Sequence, residues 1–117
     1  MEKKHNIILT KTFEFACNIL DLNEKLVELK QYQVANQIVR SGTSIGANVT
    51  EAQRAVSKAD FINKLGIALK EADETKYWLE LINKKLIKID VKMNNEVEEI
   101  ISILVSIINS SRKSEKK

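Results

Sequence analysis

From Phe61 to Leu86 a series of apolar and small residues returns every three or four positions: Phe61, Leu65, Ala68, Ala72, Thr75, Leu79, Ile82 and Leu86. At about 100° of rotation per residue this series draws one stripe along a helix, and the period of two that marks a strand does not reproduce it. No proline interrupts the chain anywhere. A helix of about seven turns is therefore permitted without a kink, since an interior proline would cost ~3 kcal/mol. The three glycines are too few for the frequent turns of a β fold.

The same period recurs in three further segments. The first has Phe13, Ala16, Cys17, Leu20 and Val27 as inward candidates, and the second has Val34, Ile38, Gly42, Ile45 and Val49. The last has Met93, Val97, Ile100, Leu104 and Ile108. Helices are expected over about 7–29, 32–53, 57–86 and 93–111, with 112–117 a frayed basic tail. Ser57 and Asp60 resemble a capping box, and Asp90 or Asn94 is placed to cap the last helix. Short connectors between four helices of similar length predict an all-α, up-down-up-down antiparallel bundle forming a single domain. With 117 residues, 44% of them hydrophobic, the chain is long enough for a core without disulfide staples. Its lone Cys17 reads as a small buried hydrophobe.

The second helix carries QIVRSGTSIGANVTEA, residues Gln37 to Ala52. Gln37, Arg40, Ser44, Asn48 and Glu51 fall on one side of it, and the apolar series falls on another. Gly42 and Gly46 each cost ~1 kcal/mol relative to alanine inside a helix, and close packing against a neighbouring helix explains them most simply. On the third helix Asp60, Lys64, Ile67, Glu71, Glu74 and Trp78 form a second stripe about 100° from the core seam. A solvated face laced by pairs such as Lys70 with Glu74 would account for it. A tryptophan among charges is also the composition of a contact surface, so this stripe is expected at a subunit interface.

Several chemistries lack their residues. A di-iron bundle needs paired Glu-x-x-His motifs, and His5 near the start is the single histidine. Ser44 and Cys17 have no helical histidine to activate them, and no GxxxxGK loop follows a strand. No catalytic residue, metal site or cofactor is expected. No apolar run reaches the ~18 residues of a membrane span. MEKKHNIIL is followed at once by Lys11 and Glu14, unlike a signal peptide, and a cytoplasmic location is expected.

The net charge of +3 is mild, but its distribution is informative. An up-down-up-down bundle gathers Lys3, Lys4, Arg54, Lys58, Arg112, Lys113, Lys116 and Lys117 at one end. The acids there are Glu2, Glu51, Asp60 and Glu115, while Lys84, Lys85, Lys88 and Lys92 lie at the other end. A basic end suits nucleic-acid backbones, although lysine-rich ends also simply solubilise.

The segments Gln37–Ala52 and Ser57–Ile82 together resemble the four-helix-bundle proteins called 23S rRNA intervening-sequence proteins. Gln37, Arg40, Ser44, Ile45, Asn48 and Glu51 match the first motif of that family. The second motif is matched by Asp60, Phe61, Lys64, Lys70, Glu71, Glu74, Trp78 and Leu79. Many relatives have proline where Gly46 stands, and Ala-Glu-Gly where Thr50-Glu51-Ala52 stands. The resemblance implies a cytoplasmic bacterial bundle that assembles into a ring, commonly a homopentamer. Arg40, Ser44, Asn48, Glu51, Asp60, Lys64, Glu71, Glu74 and Trp78 are then the expected interface residues. It further implies possible partners, RNA or DNA and a reverse transcriptase, because a related branch serves diversity-generating retroelements. A scaffold that meets only itself and a protein partner is the alternative expectation.

Overall fold

The computed structural model describes the backbone of residues 2–115 and the side chains of 7–114. Four helices account for almost all of it: α1 (Glu2–Glu28), α2 (Tyr32–Ala52), α3 (Lys58–Lys85) and α4 (Val91–Glu115). α1 and α4 each extend several residues beyond their expected bounds at the end where the termini meet.

Side-chain contacts fix the topology. Glycines 42 and 46 of α2 meet Ile19 and Thr12 of α1 respectively, so sequence numbers rise on one helix as they fall on the other. Lys11 with Glu99 and Asn18 with Glu96 show the same reversal between α1 and α4. Lys76 with Glu98 and Lys58 with Ser114 show it between α3 and α4. Each helix packs on its two neighbours, and among the described residues α1 and α3 stand diagonally apart. The result is an antiparallel four-helix bundle measuring 52 × 23 × 19 Å.

Local chemistry sets the breaks. α1 ends with Lys30 in the left-handed region at φ 60°, a Schellman arrangement. There the Lys30 N–H donates to the Val27 carbonyl at 2.9 Å and the Gln31 N–H to the Leu26 carbonyl at 2.8 Å. At the start of α3, Ser57 Oγ accepts from the Asp60 N–H at 3.0 Å. Asp60 Oδ2 reaches back to the Val56 N–H at 3.1 Å, one residue beyond the usual box partner. Asp90, and not Asn94, caps α4 by accepting from the Lys92 N–H at 3.0 Å.

The core is lined by the expected residues on α2, α3 and α4. Ile38, Ile45 and Val49, Leu65, Ala68, Ala72 and Leu79, and Val97, Ile100 and Leu104 are all buried. α1 differs from expectation. Phe13 is 70% exposed, Leu20, Val27 and Cys17 are also exposed, and Ala16 is only half-buried. The helix turns inward a second series instead: Ile8, Thr12, Phe15, Ile19, Leu22 and Leu26.

Two apolar series of one period, about 120° apart by rotation, compete for the core, and the glycines of α2 decide between them. A Cβ on Gly42 would stand 2.8 Å from Ile19 Cγ1, and one on Gly46 would stand 3.3 Å from Thr12 Oγ1. The missing side chains let the Ile19 face of α1 approach, and that rotation turns Phe13 outward. Gly66 on α3 behaves differently, since a Cβ there would meet nothing within 4 Å.

The contrast predicts opposite signs. Ile19 is β-branched and fully buried, so it cannot turn aside. Gly42→Ala is expected to destabilise by about 1–2 kcal/mol despite the better helix former. Gly66→Ala is expected to stabilise by about 1 kcal/mol. Urea unfolding followed by circular dichroism reads both changes.

Candidate functional site

The polar edge of α2 and the polar stripe of α3 face each other across the helix pair. Arg40 stands at the centre. Its Nη1 lies 3.2 Å from Glu71 Oε1, and its Nη2 is paired with Glu74 Oε2. Its Nε and Nη2 also donate to Gln37 Oε1 at 3.2 and 3.1 Å. Trp78 Nε1 donates to Glu74 Oε2 at 2.9 Å, so one carboxylate joins the guanidinium to the indole. Trp78 is half-buried against the core, with the Tyr77 ring edge-on at 5.3 Å. The Arg40 side chain stays 48% exposed, which limits each ion pair to about 0.2–1 kcal/mol. Beneath the network the buried hydroxyls of Ser41 and Thr75 lie 2.9 Å apart. Thr75 Oγ1 is also 2.8 Å from the Glu71 carbonyl, so the pair is satisfied where it would otherwise cost stability.

Arg40, Glu71, Glu74 and Trp78 are thus brought together, and the other expected interface residues are not. Ser44 Oγ donates to the Arg40 carbonyl at 2.6 Å, and Asn48 Nδ2 donates to the Ser44 carbonyl at 2.9 Å. Both stay on their own helix. Glu51 is exposed near the end of α2. Asp60 accepts from Lys64 Nζ at 3.2 Å, two turns before the network. Glu74 takes Arg40 across the helix pair as its cation, where sequence spacing offered Lys70.

The basic end forms a second region. Lys58 Nζ lies 3.2 Å from Ser114 Oγ, which sets the α2–α3 connector against the end of α4. Arg54, Lys58, Arg112 and Lys113 are all exposed there, and among the described residues none is within ion-pair distance of a carboxylate. The side chains of Lys3 and Lys4 lie outside the described residues, as do Lys116 and Lys117. Val56, 91% exposed, projects from the same connector. No helix among the described residues is long and apolar enough to cross a membrane.

Fold and site together define an antiparallel four-helix bundle whose polar helix edges are closed by ion pairs within the chain. Residues 4–110 match the family described as 23S rRNA-intervening sequence protein, and the chain belongs to that family. No curated protein matches it. Among solved structures it is similar to a protein of unknown function from the S23 ribosomal protein family of Bacteroides thetaiotaomicron. The two are 50% identical with a TM-score of 0.86, over 91% of this chain and 98% of that one.

The hydrogen bond from the Val56 N–H, then the Lys64 ammonium, holds the Asp60 carboxyl below the usual aspartate range, against a smaller opposing effect of burial. A depressed folded pKa contributes stability that is present above the unfolded value of about 3.9 and lost as pH falls through the folded one. Asp60→Asn is therefore expected to lower stability at neutral pH and to flatten its dependence below about pH 4. Thermal midpoints measured across an acid pH series check this, and an unchanged acid limb would show that Asp60 plays no such part.

Proposed function

We propose that this protein is a non-catalytic, ring-forming homo-oligomer that binds nucleic-acid backbone at its basic end, as an accessory factor to another macromolecule. The observation that carries the reading is the cluster of Arg54, Lys58, Arg112 and Lys113, exposed together at one end without carboxylate partners among the described residues. Arg112 and Lys113 also suit the negative end of the α4 dipole, but Lys58 opens α3, where a cation is disfavoured. Repeated around a ring axis, a modest cluster becomes a continuous basic surface. Such a surface attracts phosphates without reading sequence. Membership of a family named for sequences inserted in rRNA favours RNA as the first probe. The pairing of Arg40, Glu71, Glu74 and Trp78 within the chain gives the α2–α3 edge a fixed shape, and this edge, with Ser44, Asn48, Glu51, Asp60 and Lys64, borders the contact between copies.

Fluorescence anisotropy of labelled RNA and DNA across a salt series tests the reading. Binding is expected to weaken steeply with salt and to show little preference for sequence. Replacing Arg54, Lys58 and Lys113 by glutamate is expected to weaken it by at least ~10-fold while leaving assembly intact. An intact oligomer that binds neither polymer at low salt would instead indicate a scaffold for protein partners.

A further inference from the structure

We infer that copies of this chain meet through two specific faces: the outer apolar stripe of α1 on one copy and the outer face of α3 on the next. The inference rests on the oligomeric reading above and specifies the surfaces that it uses.

The α1 stripe is the stronger half of the evidence. Phe13, Leu20 and Val27 recur every seven residues, with Cys17 between them, and all four are exposed. Seven-residue spacing of large apolar side chains is the pattern of a helix that packs against another helix. The four-helix core already uses a different face of α1, so among the described residues this stripe lies outside it, with Phe13 bordering a shallow groove beside Thr43 and Ala47 of α2.

The outer face of α3 supplies a match. Gly66 sits mid-helix with open space where its Cβ would be, beside a groove of about 380 Å³ lined by Ile62, Asn63, Ile67 and Lys70 of α3 and by Arg112 of α4. A mid-helix glycine costs ~1 kcal/mol, and nothing among the described residues makes use of its small size. A neighbour approaching closely would use it. Tyr77, 57% exposed, lies further along the same face.

Height and charge argue that the neighbour is a second copy. On α2, Gly46 abuts Thr12 of α1, and Ser41 is tied to Thr75 of α3. In the antiparallel α2–α3 pair, the step from Ser41 to Gly46 matches the step from Thr75 back to Lys70. Lys70 therefore stands level with Thr12 and Phe13. One heptad further, Leu20 is level with Tyr77, and one beyond that Val27 is level with Lys84. The two stripes thus share both spacing and height, and they run parallel.

They lie on opposite sides of the bundle, because α1 and α3 are diagonal. Different patches on opposite sides give a head-to-tail contact, and equal height lets that contact close into a ring without a rise. Charges agree as well. Glu28 flanks the α1 stripe at the height of Lys85 on α3 and Glu24 lies about one turn below, while Asp73 and Glu80 of α3 lie toward its α4 side.

Two measurements on the full chain test this. Sedimentation velocity compares the wild type with Phe13→Asp and Leu20→Asp, exposed positions where circular dichroism confirms the fold. Each is expected to weaken assembly at least ~10-fold, as for a central apolar contact. In parallel, Lys70→Cys adds a second thiol to Cys17, and a short bis-maleimide is applied. A head-to-tail contact gives a ladder of cross-linked species beyond the dimer, which Cys17 alone cannot give. A wild-type oligomer that ignores both aspartates and yields no ladder would overturn these surfaces and leave the oligomeric reading standing. A wild type that sediments as a monomer would overturn both.

Discussion

The approach of α1 to α2 through Gly42 and Gly46 is the contact on which the remaining geometry turns. With no Cβ at Gly42, Ile19 seats against the α2 backbone, and Thr12 does the same beside Gly46. A helix in a bundle has one free rotation about its axis, and here shape at the glycines and the larger apolar series of Ile8, Phe15, Ile19, Leu22 and Leu26 agree on it. Phe15, Ile19 and Leu26 become core, while Phe13, Leu20 and Val27 become surface. The two glycines bring the Ile19 face close to α2, and the asymmetry leaves one apolar stripe outside.

The second constraint lies across the bundle, where Arg40 meets Glu71 and Glu74 and where Ser41 meets Thr75. The exposed ion pairs add little stability. Their consequence is positional. They hold α2 and α3 in one register, and the buried hydroxyl pair penalises any slip that would leave it unsatisfied. Trp78, tied to Glu74, keeps the α3 edge in the same arrangement. Register along α2 in turn sets Lys70 level with Phe13, so local polar contacts determine which outer residues stand at equal height.

Much of this was legible in the sequence because the longest apolar series on α2, α3 and α4 is in each case the one that turns inward. Leu65, Ala68, Ala72 and Leu79 dominate α3, the denser run Ile100–Ile108 of α4 still buries Ile100 and Leu104, and the Ser57–Asp60 start announces itself by residue type. α1 carries two series of one period. Periodicity alone does not rank them, although the inward one holds Ile8, Phe15, Ile19, Leu22 and Leu26 against Phe13, Leu20 and Val27. The deciding signal was present in Gly42 and Gly46, but it sits on another helix and needs α1 docked to be read. Arg40 was visible as a polar-edge residue. Its partners were not, because the pairing depends on how α2 and α3 are rotated toward each other, and Lys70 offered Glu74 a nearer partner in sequence.

Cys17 reports on the central claim, that the glycines turn the Phe13 stripe outward and that a second copy then covers it. The rate at which Cys17 reacts with a soluble thiol reagent, followed as protein concentration is raised, is the direct measurement. Rapid labelling in dilute solution that slows as assembly proceeds is the expected result. Slow labelling at every concentration would place Cys17 in the core and contradict the rotation of α1, whereas rapid labelling of the assembled protein would leave the stripe uncovered and contradict its role as the contact between copies.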